Sequence, residues 1–587
     1  MKARSDSHPI FSAPGAGVVG RRTVAMPDGR LAVLAAEGRA RSSARPGLAM
    51  VRGLADSLEA LSALPAAWAD HIDLCVLLQV PAADCAAVAE SAGAVARSVH
   101  LLRGSRDLKS VCESISRASG PIVVVARSRS GSGASTLGAR LDEALQEQGR
   151  RRQERRERTL FRDRFAPTID HEIAFGHFIR ARRPAMLIDR RSLLENPPEA
   201  IVELARSMAC PLLLTGGAAC APPAILQNWL EKARGLLVLP PNHVTWMKAF
   251  LETDLLVALG ARLTESELVG LNDIVVPDAT IIQVHPEIWR QDERVQLFVN
   301  SYAGDFAASL LELLRRTRPD QSQPVLQRPS SEARALWRGR IERHGDAFQK
   351  LIREYTERTG APIDPGFVAH QIVDAAPSET IFAAEGNGCG MWLWSFLWLR
   401  PILYPDLMAS IGVSLGWCAG ALARAPGQTV WVVLGDGSFR YQTAALAKLV
   451  EERARVVIFL FNNEGWGSIR LEQTFLFGGR YHATELPASN HASIAASMGL
   501  ETIRVERGEE LAEALTRAQA ASGPLLVEVL VRRDSVPFAG LNFALAEIDY
   551  VLGQRRARFL WSFVRAWFRR RLPRRVLWIL LRLSMVR

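Results

Sequence analysis

The sequence predicts an α/β protein of three doubly wound parallel-sheet domains followed by a basic helical tail. Two patterns and one stretch lead there. Short apolar runs alternate with alanine-rich helical text from Arg21 to about residue 126, and the alternation returns over 171–315. The stretch is Val433 to Ile469, VLGDGSFRYQTAALAKLVEERARVVIFLFNNEGWGSI. It reads as strand, helix, strand, with polar residues at the carboxyl ends of both strands. In an open parallel sheet that is where ligands bind.

Taken in order, residues 1–20 are rich in Ser, Gly and Pro and read as a loose lead-in. RTVAM, GLAMV, LCVLLQV and PIVVVA then read as strands, with helices around Leu31–Arg39, Leu54–Trp68 and Ala82–Ala96. Residues 127–170 change character: RSRSGSGAS is a flexible stretch, and GRRRQERRER reads as a solvated linker helix rather than a nucleic-acid patch. In 171–315 the best strands are CPLLLTGG (Cys210 to Gly217), DLLVALGARL (Asp254 to Leu263) and ATIIQVHP (Ala279 to Pro286). Residues 316–360 form a charged helical connector, and a third α/β segment occupies 361–538.

Composition narrows the class. With 587 residues the chain can hold three or four domains, and 48% apolar residues suit packed cores. Seven scattered cysteines without a CxxC pair argue against a disulfide framework or a structural zinc site. The N-terminus lacks the apolar core of a secretory signal and no apolar run is long enough to span a bilayer, so a cytoplasmic location is expected. The net charge of +11 belongs to residues 555–587, which carry eleven Arg and no acid. The body is therefore not expected to bind nucleic acid. The tail (539–587) mixes Trp, Phe and Leu with Arg at helical spacing and is broken by Pro573. Two readings stay open for it: peripheral contact with a membrane surface, or a helix packed on the body or a partner subunit.

Asp436 and Asn463 end adjacent strands in this reading and offer two oxygens to a hard cation such as Mg²⁺. Gly435 and Gly437 let the backbone approach a phosphate, with helical N–H groups from about Ser438 directed at it. GDG followed after 24 residues by NN resembles the diphosphate-binding signature of thiamine-diphosphate (ThDP) enzymes, most closely the acetolactate synthase and 2-oxo-acid decarboxylase group. AEGRARSSARPGLAMV (Ala36 to Val51) is similar to part of that family's pyrimidine-binding domain. The resemblance implies a pyrimidine-binding domain at 21–126, a linker at 127–170, a central domain at 171–315 and a ThDP diphosphate domain at 361–538. Some relatives hold FAD or a nucleotide in the central domain. With no GxGxxG here, the structural reading is favoured.

The resemblance also implies roles. Asp436 and Asn463 would ligate Mg²⁺ with the carbonyl of Gly465. Asn387 and Gly388, in FAAEGNGCGMW, would meet the diphosphate, together with Gly435, Gly437 and Ser438. Ala409 and Ile411, in LMASIGVSLGWCAGA, fall where the family holds ThDP bent, with Ile411 as the apolar prop, and Trp466 would line the same pocket. The bend brings an amino group to C2 of the thiazolium so that its proton can be removed. The family's activating Glu aligns with Gly29 and is absent. Asp28 beside it is the catalytic candidate in its place, and the family's Gly-Pro-Gly loop is reduced to Arg52-Gly53. His482 and His491 are expected to be exposed or capping residues.

The implied activity is decarboxylation of a 2-oxo acid, ligation of the resulting carbanion to an acceptor, or both. The implied assembly is a homodimer or tetramer. The alternative is a catalytically impaired ThDP-binding or regulatory paralogue acting as a partner subunit.

Overall fold

The computed structural model describes residues 9–13, 23–533 and 535, apart from breaks at 44, 71, 103–104, 118–119, 128–136, 138, 148–149, 151–166, 242, 265–266, 269–278, 318–327, 357–360, 405–409, 424–426 and 478. The tail lies outside these residues, as do Ala409 and, apart from Arg150, the GRRRQERRER run.

Three six-stranded sheets follow one another along the chain, and all their strand pairs are parallel. The first contains β1 (Ile10–Ser12), β2 (Thr23–Ala25), β3 (Gly47–Arg52), β4 (Leu74–Val80), β5 (Ser98–Leu102) and β6 (Pro121–Arg127), in the order β2-β1-β3-β4-β6-β5. The second contains β7 (Pro184–Ile188), β8 (Leu212–Leu214), β9 (Val238–Leu239), β10 (Leu255–Leu259), β11 (Thr280–Val284) and β12 (Leu297–Val299), in the order β12-β11-β10-β7-β8-β9. The third contains β13 (Ile381–Ala384), β14 (Ile402–Leu403), β15 (Val430–Gly435), β16 (Val456–Asn462), β17 (Glu501–Val505) and β18 (Leu525–Leu530), in the order β14-β13-β15-β16-β18-β17. The longer inner strands are apolar runs because helices cover both faces of a parallel sheet.

The helices used below are α1 (Gly29–Ser42), α2 (Leu54–Ser62), α3 (Val244–Glu252), α4 (Arg328–Thr356), α5 (Asn387–Leu397), α6 (Ser414–Leu422), α7 (Thr443–Glu451), α8 (Gly467–Leu476) and α9 (His491–Ser497). Nearly every residue of α1 is buried, because α1 lies between the first sheet and α6 of the third domain, and one apolar core spans both domains. The crossing is close enough to require glycine. A Cβ on Gly420 would sit 1.8 Å from the Ala35 carbonyl oxygen, and one on Gly38 would sit 2.2 Å from that of Trp417. A buried ion triad is set beside the crossing: Arg41 donates to Glu37 at 2.7 Å and to Asp70 at 2.6 Å, and its guanidinium lies over the Trp417 ring.

Three expectations change. The lead-in is not loose throughout, since Ile10–Ser12 is an inner strand of the first sheet. Residues 139–147, within the expected linker, are helical and bury Leu141, Ala144 and Leu145 against the first sheet. The connector also packs: Trp337 and Ile341 of α4 share a core with Trp246 and Phe250 of α3. Among the described residues, no helix is long and apolar enough to cross a membrane.

Candidate functional site

In the third sheet the chain leaves β13 in opposite directions, to β14 on one side and β15 on the other. A cleft of about 330 Å³ opens beside the carboxyl ends of those strands. Gly386, Gly388, Cys389, Ile411, Gly435, Asp436, Gly437, Ser438, Asn463, Gly465 and Trp466 line it, with Glu472, Arg532 and Arg533 among its charged residues. One surface thus gathers most of the residues singled out in the sequence.

Asp436 is the most informative of them. Its residue is 1% exposed, and Oδ2 has no hydrogen-bond partner among the described residues. Burial pushes its carboxyl up to about 6, although His491, the Gly437 and Gly465 N–H groups and Arg440 pull the other way. An orphaned, buried carboxylate oxygen needs a partner. Asn463 and the Gly465 backbone face the same cleft. Among the described residues no cluster of three or more His, Cys, Asp or Glu could hold a metal, so any ion here relies on amide and carbonyl oxygens beside Asp436. Such a donor set suits a hard divalent cation.

The two asparagines have separate duties. Asn462 points into the sheet, where it donates to Glu528 at 2.7 Å and accepts from Glu464 N at 3.1 Å. Asn463 lines the cleft. Its loop is held firmly: Glu464 adopts a left-handed φ of 51°, Gly465 bridges to Glu485, and Arg533 pairs with Glu464 while donating to the Asn463 carbonyl at 3.0 Å.

The two glycines of GDG also differ. A Cβ on Gly437 would meet the Trp466 ring at 2.6 Å, so this glycine makes room for the indole. Gly435 faces open cleft, with the Cys389 sulfur no nearer than 4.0 Å to such a Cβ. Gly386, at φ 78°, turns β13 into α5, whose first two residues are Asn387 and Gly388, and nothing lies within 4 Å of a Cβ built on Gly388. The helix expected from about Ser438 is a short turn, Asp436–Phe439, before α7 begins at Thr443. Ile411 is 38% exposed at the cleft, an apolar side chain open to it.

Several buried polar residues that hold the elements of the site escaped the sequence reading. Glu385 is fully buried at the end of β13 and accepts from Val413 N at 2.8 Å and Ser414 N at 2.9 Å, capping α6. Gln442 joins this network through Glu385 and Leu415 N, tying the GDG turn to the start of α6. The signal was an acid ending an apolar strand, as in FAAEG. Glu528 is also buried, within LLVEVL, and binds Asn462, the Ala492 N–H and Arg504. His491 is buried and paired to Glu528 at 3.2 Å, which corrects the expectation for it, whereas His482 is exposed.

The start of α1 meets the third domain beside Gly412 and Tyr441. Asp28 is its N-cap, with Oδ1 accepting from Leu31 N at 2.7 Å, so that oxygen is engaged. Arg30 reaches the third domain, donating to the Gly412 carbonyl at 2.7 Å and to that of Tyr441 at 3.3 Å.

Residues 386–529 match the family described as thiamine pyrophosphate enzyme, C-terminal TPP binding domain. The chain is 24% identical over 371 residues to acetolactate synthase of Mycobacterium bovis, covering 60% of this chain and 56% of that protein. It is 26% identical over 332 residues to the acetolactate synthase large subunit of Corynebacterium glutamicum, covering 54% and 51%. It is 27% identical over 304 residues to sulfoacetaldehyde acetyltransferase of Rhodobacter capsulatus, covering 49% and 52%. The chain spans about half the length of these curated relatives. Residues 386–529 thus resemble the TPP binding domain of ThDP-dependent enzymes, and most of the residues lining the cleft at the end of β15 lie within that stretch.

Proposed function

We propose that the chain is a ThDP- and Mg²⁺-dependent enzyme that decarboxylates a 2-oxo acid, joins the remaining fragment to an acceptor, or does both. The observation that carries this reading is the buried Oδ2 of Asp436, unpartnered among the described residues and beside Asn463 in the cleft. Asp436, Asn463 and the Gly465 carbonyl would hold the ion. Gly435, Ser438 and the backbone at Asn387 and Gly388 would receive the diphosphate, and Ile411 would offer an apolar support to the cofactor. Bound ThDP would supply the electron sink that lets CO₂ leave a 2-oxo acid. Relatives named for acetolactate synthesis and for acetyl transfer support the choice of substrate class. A homodimer or tetramer and a cytoplasmic location belong to the same proposal, as does contact of the tail with a membrane surface.

CO₂ release from a panel of 2-oxo acids, with ThDP and Mg²⁺ added, tests the reading. Turnover by the wild type and its loss in Asp436→Ala are expected. No turnover, with the two proteins indistinguishable, rejects it.

One observation favours the second reading, a ThDP-binding partner subunit: Gly29, where the activating acid would stand, has no space for a side chain. Calorimetric binding of ThDP without turnover supports that reading.

A further inference from the structure

Three segments of the third domain border the cleft: the turn from β13 into α5, the loop from Ile411 to the start of α6, and the GDG turn. One residue joins all three. Glu385 is fully buried directly after β13, and its own backbone leads into the first segment. Its Oε2 accepts from Val413 N at 2.8 Å and Ser414 N at 2.9 Å, just beyond Ile411. Its Oε1 accepts from Gln442 Nε2. Gln442 in turn accepts from Leu415 N at 2.9 Å and donates to the Ser438 carbonyl, within the GDG turn, at 3.4 Å. The partners of the Glu385 carboxyl are thus uncharged donors, which suit an ionised carboxylate, and they pull against the burial that pushes it up. The Cys389 thiol is pushed up to about 12 by burial and then by the charges of Glu385 and Asp436, which places both carboxylates near one sulfur.

We propose that Glu385 is a positioning residue for the divalent cation: acting through Gln442, it fixes the GDG turn so that Asp436 stays set beside Asn463. The inference rests on the Mg²⁺ reading above. The turn that carries Asp436 spans only Asp436–Phe439, and α7 does not begin until Thr443. One turn of helix makes too few bonds of its own to hold its place. Gln442 stands in the gap between the two helices, and its bond to Glu385 ties the turn to the end of β13. A small hard cation demands near-ideal ligand geometry, so slack in this turn weakens its binding. The negative charge of Glu385 also adds to the attraction that Asp436 exerts on a cation. Exchanging acid and amide between positions 385 and 442 keeps that charge and the bond between the two side chains. It also keeps an acceptor for the N–H groups of Val413, Ser414 and Leu415, and loses only the bond to the Ser438 carbonyl.

The test is calorimetric titration of Mg²⁺ into the full chain in excess ThDP, with circular dichroism to follow folding and the thermal midpoint. Glu385→Gln removes the charge and leaves one donor of the pair without an acceptor. It is expected to weaken Mg²⁺ binding by about 10- to 100-fold at a retained far-UV spectrum. Adding Gln442→Glu to Glu385→Gln is expected to recover most of that loss. If the Glu385→Gln chain does not fold, Gln442→Met decides the matter, since it leaves Glu385 capping α6 and cuts only the tie to the GDG turn. About tenfold weaker Mg²⁺ binding is expected there. A merely structural role would lower the thermal midpoint and leave the Mg²⁺ affinity of the folded variants unmoved, and that result overturns the proposal. A double variant that binds Mg²⁺ no more tightly than Glu385→Gln alone also overturns it. Absence of ThDP and Mg²⁺ binding by the wild type overturns the cofactor reading itself, an outcome distinct from unchanged affinity in variants of a wild type that binds.

Discussion

Asp436 and Glu528 are buried carboxylates of one domain, and their surroundings push them in opposite directions. Burial raises Asp436 to about 6, from an ordinary 3.8. Burial also opposes ionisation of Glu528, but hydrogen bonds from His491, Ala492 N–H and Asn462 and the charge of Arg504 outweigh it and hold that group down at about 2. For Asp436 the unfolded chain loses its proton first, so as pH rises from about 4 to about 6 the group subtracts stability, by roughly 1–3 kcal/mol in total. Glu528 adds stability above its ordinary value, and that is lost as pH falls from about 4.5 toward about 2. Asp436→Asn is therefore expected to stabilise the metal-free protein at pH 7 by roughly 1–3 kcal/mol while abolishing Mg²⁺-dependent ThDP binding. Urea unfolding in EDTA at pH 4, 5.5 and 7, paired with calorimetry, measures both, and the gain should vanish at pH 4. The motif GDG with NN made Asp436 and Asn463 legible in the sequence, because ligand chemistry demands those residue types at strand ends. Glu385, Gln442 and Arg533 were not legible, because their partners lie 27 to 70 positions away.

Among the elements, α1 and α6 show how a small residue fixes an interdomain contact. Gly38 and Gly420 each sit against a carbonyl of the opposing helix, and Leu34 packs on Gly416. Even one methyl group at these points must push the two helices apart. Gly420→Ala is expected to cost about 2–3 kcal/mol and to separate unfolding of the first and third domains into two calorimetric transitions. A single unshifted transition would contradict this. The sequence placed α1 at Leu31–Arg39 and the structure extends it to Gly29–Ser42, since Asp28 caps it where no apolar period marks the start. Two strands of the first sheet were missed, for different reasons. β1 has three residues and lies in Ser- and Pro-rich text, while β5 is an edge strand of half-buried residues whose SVHLL carries little alternation.

For the molecule as a whole, the three parallel sheets could be read because buried strands must be apolar along their length. The segments between them could not, since charge on a helix says nothing about its opposite face. α4 is the clearest case. Its Arg334 is 1% exposed and donates to the carbonyls of Phe178, Ala181 and Met208, anchoring a highly charged helix to the second domain. Arg334→Ala would leave these carbonyls without their donor and is expected to cost about 2–4 kcal/mol in denaturant unfolding. Arg334→Lys, with fewer donors on one nitrogen, should recover only part of that.

The approach of the Asp56 carbonyl to Gly29 also orders the routes by which this sequence can change. A substitution that introduces an acid at position 29 loses stability before the acid can act, because α2 is still in its way. Substitutions at 53–57 that shift α2 must come first, which makes the present state a ratchet. A library varied at position 29 alone should yield no folded clones carrying Gly29→Glu, whereas one varied at 29 and 53–57 together should yield them.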